Sequence, residues 1–167
     1  MNPLLKDIFA LCEQIVKAAG EKDLTITTAE SCTGGLIGGA ITAISGSSAV
    51  FKGGIIAYDN QIKTKLLGVP PSTLGKYGAV SEKTAQRMAA GARERMGTDI
   101  AVSVTGIAGP GGGSEDKPVG TVWIGIAGKN GATAQLHNFG DIGRNRVRDM
   151  TVLEALKLLD KNIGATK

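Results

Sequence analysis

The segment from Asp99 to Val104 places the strongest constraint on how this chain can fold. After Asp99 it reads Ile-Ala-Val-Ser-Val, so Ser103 is the single polar side chain in the run. A strand that is apolar on both faces belongs in the middle of a sheet covered on both sides, because water would otherwise meet apolar surface. The sequence therefore predicts a central strand whose sheet carries helices on both faces.

Helical and strand patterns alternate along the rest of the chain. Helical spacing of apolar residues predicts helices, β-branched runs predict strands, and Pro70-Pro71 is expected to interrupt the chain. The predicted helices are 4–19, 36–44, a short helix after the second strand, 81–96 and 144–159, and the strands are 24–29, 53–58, 99–104, 119–127 and 133–139. The turn Gly128-Lys129-Asn130-Gly131 joins the last two strands as a hairpin.

These elements predict an α/β sandwich around a mixed, mostly parallel sheet with one antiparallel hairpin. No internal repeat or linker divides the sequence, so one domain is expected over residues 1–167.

Composition excludes several classes of function. The single histidine, His137, and the two cysteines, Cys12 and Cys32, are too few for a Cys/His zinc site. A histidine-dependent triad would have to run through His137, which lies in a predicted strand and is interpreted as structural. Without an export signal or a membrane-length apolar run, we expect a cytoplasmic protein with no membrane partner.

The charge balance favours a small anionic ligand. The net charge is +4 and the sequence pI is about 9.1. The sequence has only one strongly basic cluster, and it is short. The chain also has only six aromatic residues (one Trp, two Tyr, three Phe), so nucleic-acid binding is not expected.

The turn from Thr28 to Gly35 is the first candidate site. Ser31 follows a predicted strand and precedes a helix, where the carboxyl ends of strands form the usual binding crevice. Backbone amides around Thr33, Gly34 and Gly35 could hold an anion or a developing oxyanion. The alternative is a capped tight turn, and the segment matches neither G-x-S-x-G nor G-x-G-x-x-G.

The glycine-rich loop from Gly106 to Pro118 is the second candidate. It follows the central strand, and glycines such as Gly106 and Gly109 let backbone N–H groups approach a phosphate or amide. Lys117 does not follow a glycine, so the loop is no Walker motif, and a flexible surface loop is the alternative.

Tyr58 and Lys63 follow the second strand and are expected at the same edge of the sheet. A lysine with a lowered pKa can act as a general base, although a solvated lysine is the common alternative. Arg144 and Arg148 share one face of the last helix and suit a phosphate, or else form a solvated basic surface. Cys32 has no neighbouring histidine to activate it, so if the chain is a hydrolase, Ser31 with Lys63 is the catalytic pair that the sequence allows.

Five blocks of sequence resemble the CinA C-terminal domain family, and they run in the family order over about 24–159. They are Thr28-Ala29-Glu30-Ser31-Cys32-Thr33-Gly34-Gly35, Gly46-Ser47-Ser48, Gly78-Ala79-Val80-Ser81-Glu82, Thr105-Gly106-Ile107-Ala108-Gly109-Pro110 and Lys117-Pro118-Val119-Gly120-Thr121-Val122. The resemblance implies a three-layer α/β/α fold, a homodimer, no metal and no cofactor. It also implies hydrolysis of the carboxamide of nicotinamide mononucleotide (NMN) to nicotinic acid mononucleotide and ammonia in pyridine nucleotide recycling.

The same resemblance maps the family's serine nucleophile onto Ser31, its lysine onto Lys63 and its tyrosine onto Tyr58. The glycine-rich segment, with Thr105 before it, becomes a wall of the substrate site. The family often reads Phe-x-Gly-Asp-Arg where this chain has Phe139-Gly140-Asp141-Ile142-Gly143-Arg144, so Arg144 takes the place of the family arginine with a shifted register. We expect the chain to be a stand-alone form of the family, to which the pyrophosphatase activity of the larger protein's N-terminal domain is not extended.

In the expected mechanism Ser31 attacks the carboxamide carbon after losing its proton to Lys63, directly or through Tyr58. Amides near Thr33 and Gly34, or in the loop after Thr105, stabilise the oxyanion, and Arg144 or Arg148 binds the 5′-phosphate. Two other interpretations of the sequence remain open: a catalytically idle nucleotide-binding or regulatory module, and an amidase for another small amide.

Overall fold

A computed structural model describes residues 3–166 of the chain. Over this range it contains six α-helices, one short 3₁₀ turn (Ser47–Ala49) and five strands. In chain order they are α1 Pro3–Glu21, β1 Ile26–Glu30, α2 Leu36–Thr42, β2 Phe51–Ile56, α3 Asn60–Leu67, α4 Pro71–Tyr77, α5 Glu82–Met96, β3 Ile100–Gly106, β4 Thr121–Gly128, β5 Gly131–Asn138 and α6 Arg144–Ala165.

The five strands form one mixed sheet in the order β2-β1-β3-β4-β5. β1 pairs in parallel with β2 and β3, whereas β4 runs antiparallel to both β3 and β5. Four of the five strands therefore point the same way, and β4 with β5 forms the predicted hairpin. β3 lies in the middle and is buried on both faces, which confirms the expectation for the segment 99–104.

Helices cover both faces of the sheet and complete the three-layer α/β/α fold. On one face α1, α2 and α6 enclose the larger core, with Ile15, Ile124 and Leu156 fully buried. On the other face α5 crosses the sheet and carries α3 and α4, and Met88, Leu67 and Ala101 pack between these layers.

Two helices differ from the sequence-based expectation. The chain does not simply break at Pro70-Pro71, because Pro71 begins α4, where the missing N–H of a proline has no helical acceptor to lose. α6 continues beyond Leu159 to Ala165, since Ile163 is fully buried and the Lys22 ammonium donates to the carbonyls of Ile163 and Gly164 at the helix end.

The connections place a crevice between β1 and β3. From β1 the chain passes through α2 to β2, which pairs with one edge of β1. From β2 it returns over the opposite face of the sheet, through α3, α4 and α5, to β3, which pairs with the other edge of β1. In open α/β sheets ligands bind at such a switch point, outside the carboxyl ends of the strands. Ser31 follows β1 there, and Thr105 and Gly106 end β3.

Gly91 brings α5 close to α3, the helix that carries Lys63. A Cβ at this position would overlap the carbonyl group of Leu67, so the side chain of any other residue would push the two helices apart. None of the helices within residues 3–166 is both long enough and apolar enough to span a bilayer.

Candidate active site

Ser31 lies directly beyond the carboxyl end of β1, at the start of the turn that leads into α2. Its backbone N–H donates to the carbonyl of Val104 on β3 (3.1 Å), which ties the residue to the central strand. The side chain is 7% exposed, so its hydroxyl is held at the edge of the protein interior.

Lys63 reaches the same hydroxyl from α3. The Asp59 side chain caps this helix by accepting from the amide of Gln61 (2.7 Å), and Lys63 then lies on its inward face. The lysine is 1% exposed, and Nζ donates to Ser31 Oγ (3.1 Å) and to the carbonyl oxygen of Tyr58 (3.0 Å). A buried amine and a serine hydroxyl are thus in direct hydrogen-bond contact.

The surroundings of Lys63 favour its neutral form. Burial lowers the pKa of Lys63 below its ordinary value, because the charged form loses hydration, and this outweighs the opposing influence of Asp59 and then of Cys32. No carboxylate in the described range 3–166 makes a salt bridge with Nζ. A lysine in such a setting can accept a proton from an adjacent hydroxyl.

Cys32 is adjacent to Ser31 in sequence but is poorly suited to act as the nucleophile. Burial raises the pKa of its thiol to about 12, so the thiol stays protonated at neutral pH. The thiolate is the reactive form of cysteine, and the serine is therefore the better candidate of the two.

A cavity of about 180 Å³ opens over the Ser31–Lys63 pair. Six predicted site residues line it: Ser31, Tyr58, Lys63, Thr105, Gly106 and Arg144. Cys32, Asn60, Ala79, Val80 and Ala108 complete the lining. The Thr105 hydroxyl donates to the carbonyl of Ala79 (2.8 Å) and so fixes the segment before α5 against the end of β3.

Arg144 and Tyr58 meet at the mouth of this cavity. Arg144 Nη1 donates to the carbonyl of Gly109 (2.8 Å) and Nη2 to the hydroxyl oxygen of Tyr58 (3.3 Å). Tyr58 is 63% exposed, so its ring faces solvent while its carbonyl binds Lys63. Gly109 itself does not line the cavity, and it contacts the site through its carbonyl alone.

Thr33, Gly34 and Gly35 lie outside the cavity, contrary to the sequence-based expectation. The Glu30 carboxylate accepts from the Thr33 hydroxyl (2.6 Å) and from the Gly35 amide (3.0 Å), and the Gly34 amide donates to the carbonyl of Ser31 (3.1 Å). The amides of Gly34 and Gly35 therefore already donate to protein acceptors. An acidic residue at the end of a β-branched strand is the sequence signal that points to this internal cap.

Arg148 is also absent from the cavity lining. Its guanidinium donates to two consecutive carbonyls just after Ser31, from Nε to Cys32 (3.2 Å) and from Nη2 to Thr33 (3.0 Å). Of the two arginines that the sequence proposes for a phosphate, Arg144 is the one at the cavity.

The glycine-rich loop divides between two surfaces. Its first residues border the cavity, whereas Gly111, Gly112 and Gly113 line a separate concavity of about 730 Å³ that contains neither Ser31 nor Lys63. His137 lies on β5 and stacks on Phe139, with ring centroids 5.6 Å apart, away from the site. In the part of the chain that the structure describes, no three His, Cys, Asp or Glu side chains form a group suited to a metal ion.

Comparison with known proteins gives a consistent family match. The sequence model of the CinA C-terminal domain matches residues 9–163. A CinA-like protein of Parasynechococcus marenigrum is 51% identical over 142 residues, which cover 84% of this chain and 34% of that protein. A CinA-like protein of Synechocystis is 50% identical over 148 residues, 87% of this chain and 36% of that protein. The chain thus spans about a third of the length of the curated relatives that it matches.

Solved structures of similar size have the same fold. The competence/damage inducible protein CihA of Agrobacterium tumefaciens superposes with a TM-score of 0.91 at 47% identity, over 95% of this chain and 96% of that one. A CinA superfamily protein of Escherichia coli gives a TM-score of 0.88 at 35% identity, over 93% and 91% of the two chains.

Proposed function

Because the chain belongs to the CinA C-terminal domain family, we propose that it is an amidase that hydrolyses the carboxamide of NMN to nicotinic acid mononucleotide and ammonia. One observation carries the proposal: the buried amine of Lys63 lies 3.1 Å from the hydroxyl oxygen of Ser31, with no salt-bridged carboxylate among residues 3–166 to hold its charge. This is the arrangement that a serine nucleophile requires when its base is not a histidine.

The first half of the reaction forms an acyl-enzyme. Neutral Lys63 accepts the hydroxyl proton as Ser31 Oγ attacks the carboxamide carbon, and the carbonyl oxygen becomes an oxyanion. The resulting Lys63 ammonium gives its proton to the departing nitrogen, the C–N bond breaks, and ammonia leaves. The acyl group remains on Ser31 as an ester.

Water completes the cycle with the same base. Lys63 accepts a proton from the attacking water, the ester bond to Ser31 Oγ breaks, and the proton returns to the serine as the acid is released. The carbonyl of Tyr58, which accepts from Nζ, keeps the amine directed at Ser31 through both halves.

Backbone amides of the cavity lining are suited to stabilise the oxyanion. Cys32 and Ala108 both line the cavity; within residues 3–166 the N–H of Ala108 donates to no backbone oxygen, and the N–H of Cys32 contacts only its own sulfur. Donors fixed near the reacting carbonyl act without reorganisation as charge develops, which makes this contribution large.

Arg144 is our candidate for binding the 5′-phosphate. Its guanidinium lies at the mouth of the cavity, and the net charge of +4 also favours an anionic substrate. The cavity encloses about 180 Å³, less than the roughly 300 Å³ at the lower end for sites that bury a whole drug-sized ligand. We therefore expect the pyridine carboxamide to enter the cavity while the ribose and phosphate lie outside it.

The test is ammonia release from NMN by the purified protein, with the mononucleotide acid identified as co-product. Ser31→Ala is expected to lower turnover at least about 10³-fold, whereas Ser72→Ala, on the exposed surface of α4, leaves it unchanged. Binding of NMN without turnover would favour an idle nucleotide-binding module instead. Full turnover by Ser31→Ala would show that Ser31 is not the nucleophile.

The small cavity volume also supports a second candidate, an amidase for another small amide that fits wholly inside. Comparison of kcat/KM for NMN, nicotinamide and simple carboxamides separates the two. A preference for NMN of less than about threefold over nicotinamide would favour the second candidate, because a bound phosphate should contribute more than that.

A further inference from the structure

The turn that carries the nucleophile is held from two sides by charged side chains outside the cavity. We call residues 31–35, between β1 and α2, the nucleophile turn. Glu30 binds hydrogen-bond donors of the turn and the helix after it, and Arg148 binds carbonyl groups of the turn. Neither residue lines the cavity.

Glu30 is a buried carboxylate that accepts five hydrogen bonds at 1% exposure. Oε2 accepts from the Thr33 hydroxyl (2.6 Å) and from the amides of Gly35 (3.0 Å) and Ile37 (3.1 Å). Oε1 accepts from the Thr28 hydroxyl (3.2 Å) and the Gly38 amide (2.9 Å). The negative charge lies at the positive end of α2, so the first turn of the helix is fixed relative to β1.

Arg148 binds the hydrogen-bond acceptors of the same turn, and it does so from a distant part of the chain. It projects from α6, more than 110 residues further along, and its two donors contact the consecutive carbonyls of Cys32 and Thr33. A planar guanidinium can bind two such acceptors at once, which a single amine cannot do in the same geometry.

We propose that Glu30 and Arg148 are positioning residues that clamp the nucleophile turn and so hold Ser31 Oγ against Lys63. This inference rests on the proposed amidase function. Lys63 is fixed independently by α3, so a shift of the turn changes the distance between Ser31 and Lys63 directly. Displacements of about 1 Å can lower the rate of a reaction by about 10²-fold.

Loss of a clamp residue should change kcat, whereas loss of a substrate-binding residue should change KM. Because Arg148 contacts backbone carbonyls and lies outside the cavity, its loss should lower kcat and leave KM nearly unchanged. A phosphate-binding arginine would do the reverse, since its loss raises KM.

The experiment compares Arg148→Met, Arg148→Lys and Glu30→Gln with the control Arg146→Met, which replaces an exposed arginine on the same helix. Each variant is measured for kcat and KM with NMN, for thermal unfolding, and for the rate at which a fluorophosphonate labels Ser31 without substrate. Labelling reports nucleophile reactivity whether or not NMN is the substrate, so failure of the proposed function remains distinguishable. If Glu30→Gln does not fold, the two Arg148 variants decide.

For Arg148→Met we expect kcat and the labelling rate to fall together by about 10–100-fold while KM changes less than threefold. Arg148→Lys, which can reach one carbonyl, should recover part of the loss, and Arg146→Met should match the wild type. The proposal is overturned if Arg148→Met raises KM at constant kcat, or if it lowers thermal stability alone and leaves both kcat and labelling intact.

Discussion

Replacement of Lys63 by methionine should separate stability from catalysis in this protein. Methionine retains a long unbranched side chain, so the buried space stays filled while the amine is removed. We expect turnover to fall by about 10²–10⁴-fold, the contribution of a general base. We also expect the folded state to become more stable at neutral pH, because the wild type keeps an amine at 1% exposure without a salt bridge among residues 3–166.

The sign of the stability change follows from the pKa of Lys63. Burial lowers this pKa in the folded state below the ordinary value of 10.5, so the unfolded chain binds the proton more tightly. The wild type is therefore penalised at pH values below the folded pKa, and the penalty disappears as the pH rises to the unfolded value. Lys63→Met lacks this titration, so its advantage grows as the pH falls below 10.5 and shrinks as the pH rises towards 10.5.

Replacing buried charged groups by apolar ones of similar size stabilises proteins by about 1–4 kcal/mol, and here the lost hydrogen bonds offset part of that. We expect a net gain of about 1–3 kcal/mol, or about 2–4 °C in Tm for each kcal/mol at this chain length. Urea and thermal unfolding at pH 7 and near pH 10 measure it. Lys65→Met, on the exposed side of α3, is the control and should change stability by less than about 0.5 kcal/mol.

Two results would refute this reasoning. Lys63→Met could prove less stable than the wild type at pH 7, which would mean that its hydrogen bonds to Ser31 and Tyr58 outweigh the desolvation of the amine. Alternatively, the stability difference could stay constant between pH 7 and pH 10.5, which would mean that the folded state does not lower the pKa of Lys63.

Three further outcomes follow from the site and the fold. The value of kcat/KM should rise with pH along a limb whose midpoint lies below the ordinary lysine pKa, and a pH-independent rate between pH 6 and 10 would contradict Lys63 as the base. Arg144→Gln should raise KM for NMN by about 10–100-fold and leave the kinetics with nicotinamide unchanged; equal effects on both substrates would argue against phosphate binding. Gly91→Ala should destabilise the protein by at least about 2 kcal/mol in urea unfolding, although alanine is the better helix former. Gly75→Ala, at an open position of α4, should instead stabilise it by about 0.5–1 kcal/mol, and the same sign for both substitutions would refute the close approach of α3 and α5.

Much of the fold could be predicted because local patterns determine it. The apolar run of β3 and the glycine turn between β4 and β5 each depend on neighbouring residues, and the structure contains both. The errors arose where distant contacts decide the outcome. α6 runs beyond its predicted end because Ile163 in its last turn is buried in the core, and the Lys22 ammonium that caps the helix comes from the far end of the chain.

The candidate site, like the fold, could be predicted only in part from the sequence. The strand-to-helix turn, the absence of a second histidine and the order of the family motifs were sufficient to select Ser31, Lys63 and Tyr58. Which backbone and side-chain groups face the cavity could not be predicted, because that depends on what else competes for them. The amides of Gly34 and Gly35 looked available to a substrate, yet one donates to the Ser31 carbonyl and the other to the carboxylate of Glu30.

By itself, then, the sequence determined the family, the layered α/β architecture and the pairing of a serine with a lysine, since these follow from local patterns and residue types. Only the tertiary structure decided what the charged residues around the pair do. Arg144 and Arg148 have the same chemistry and lie one helical turn apart, yet Arg144 lies at the cavity mouth and Arg148 binds the carbonyls of Cys32 and Thr33. The physical reason is that a long charged side chain is directed by the partners that the fold places within its reach, and those partners lie on strands and turns remote in the chain.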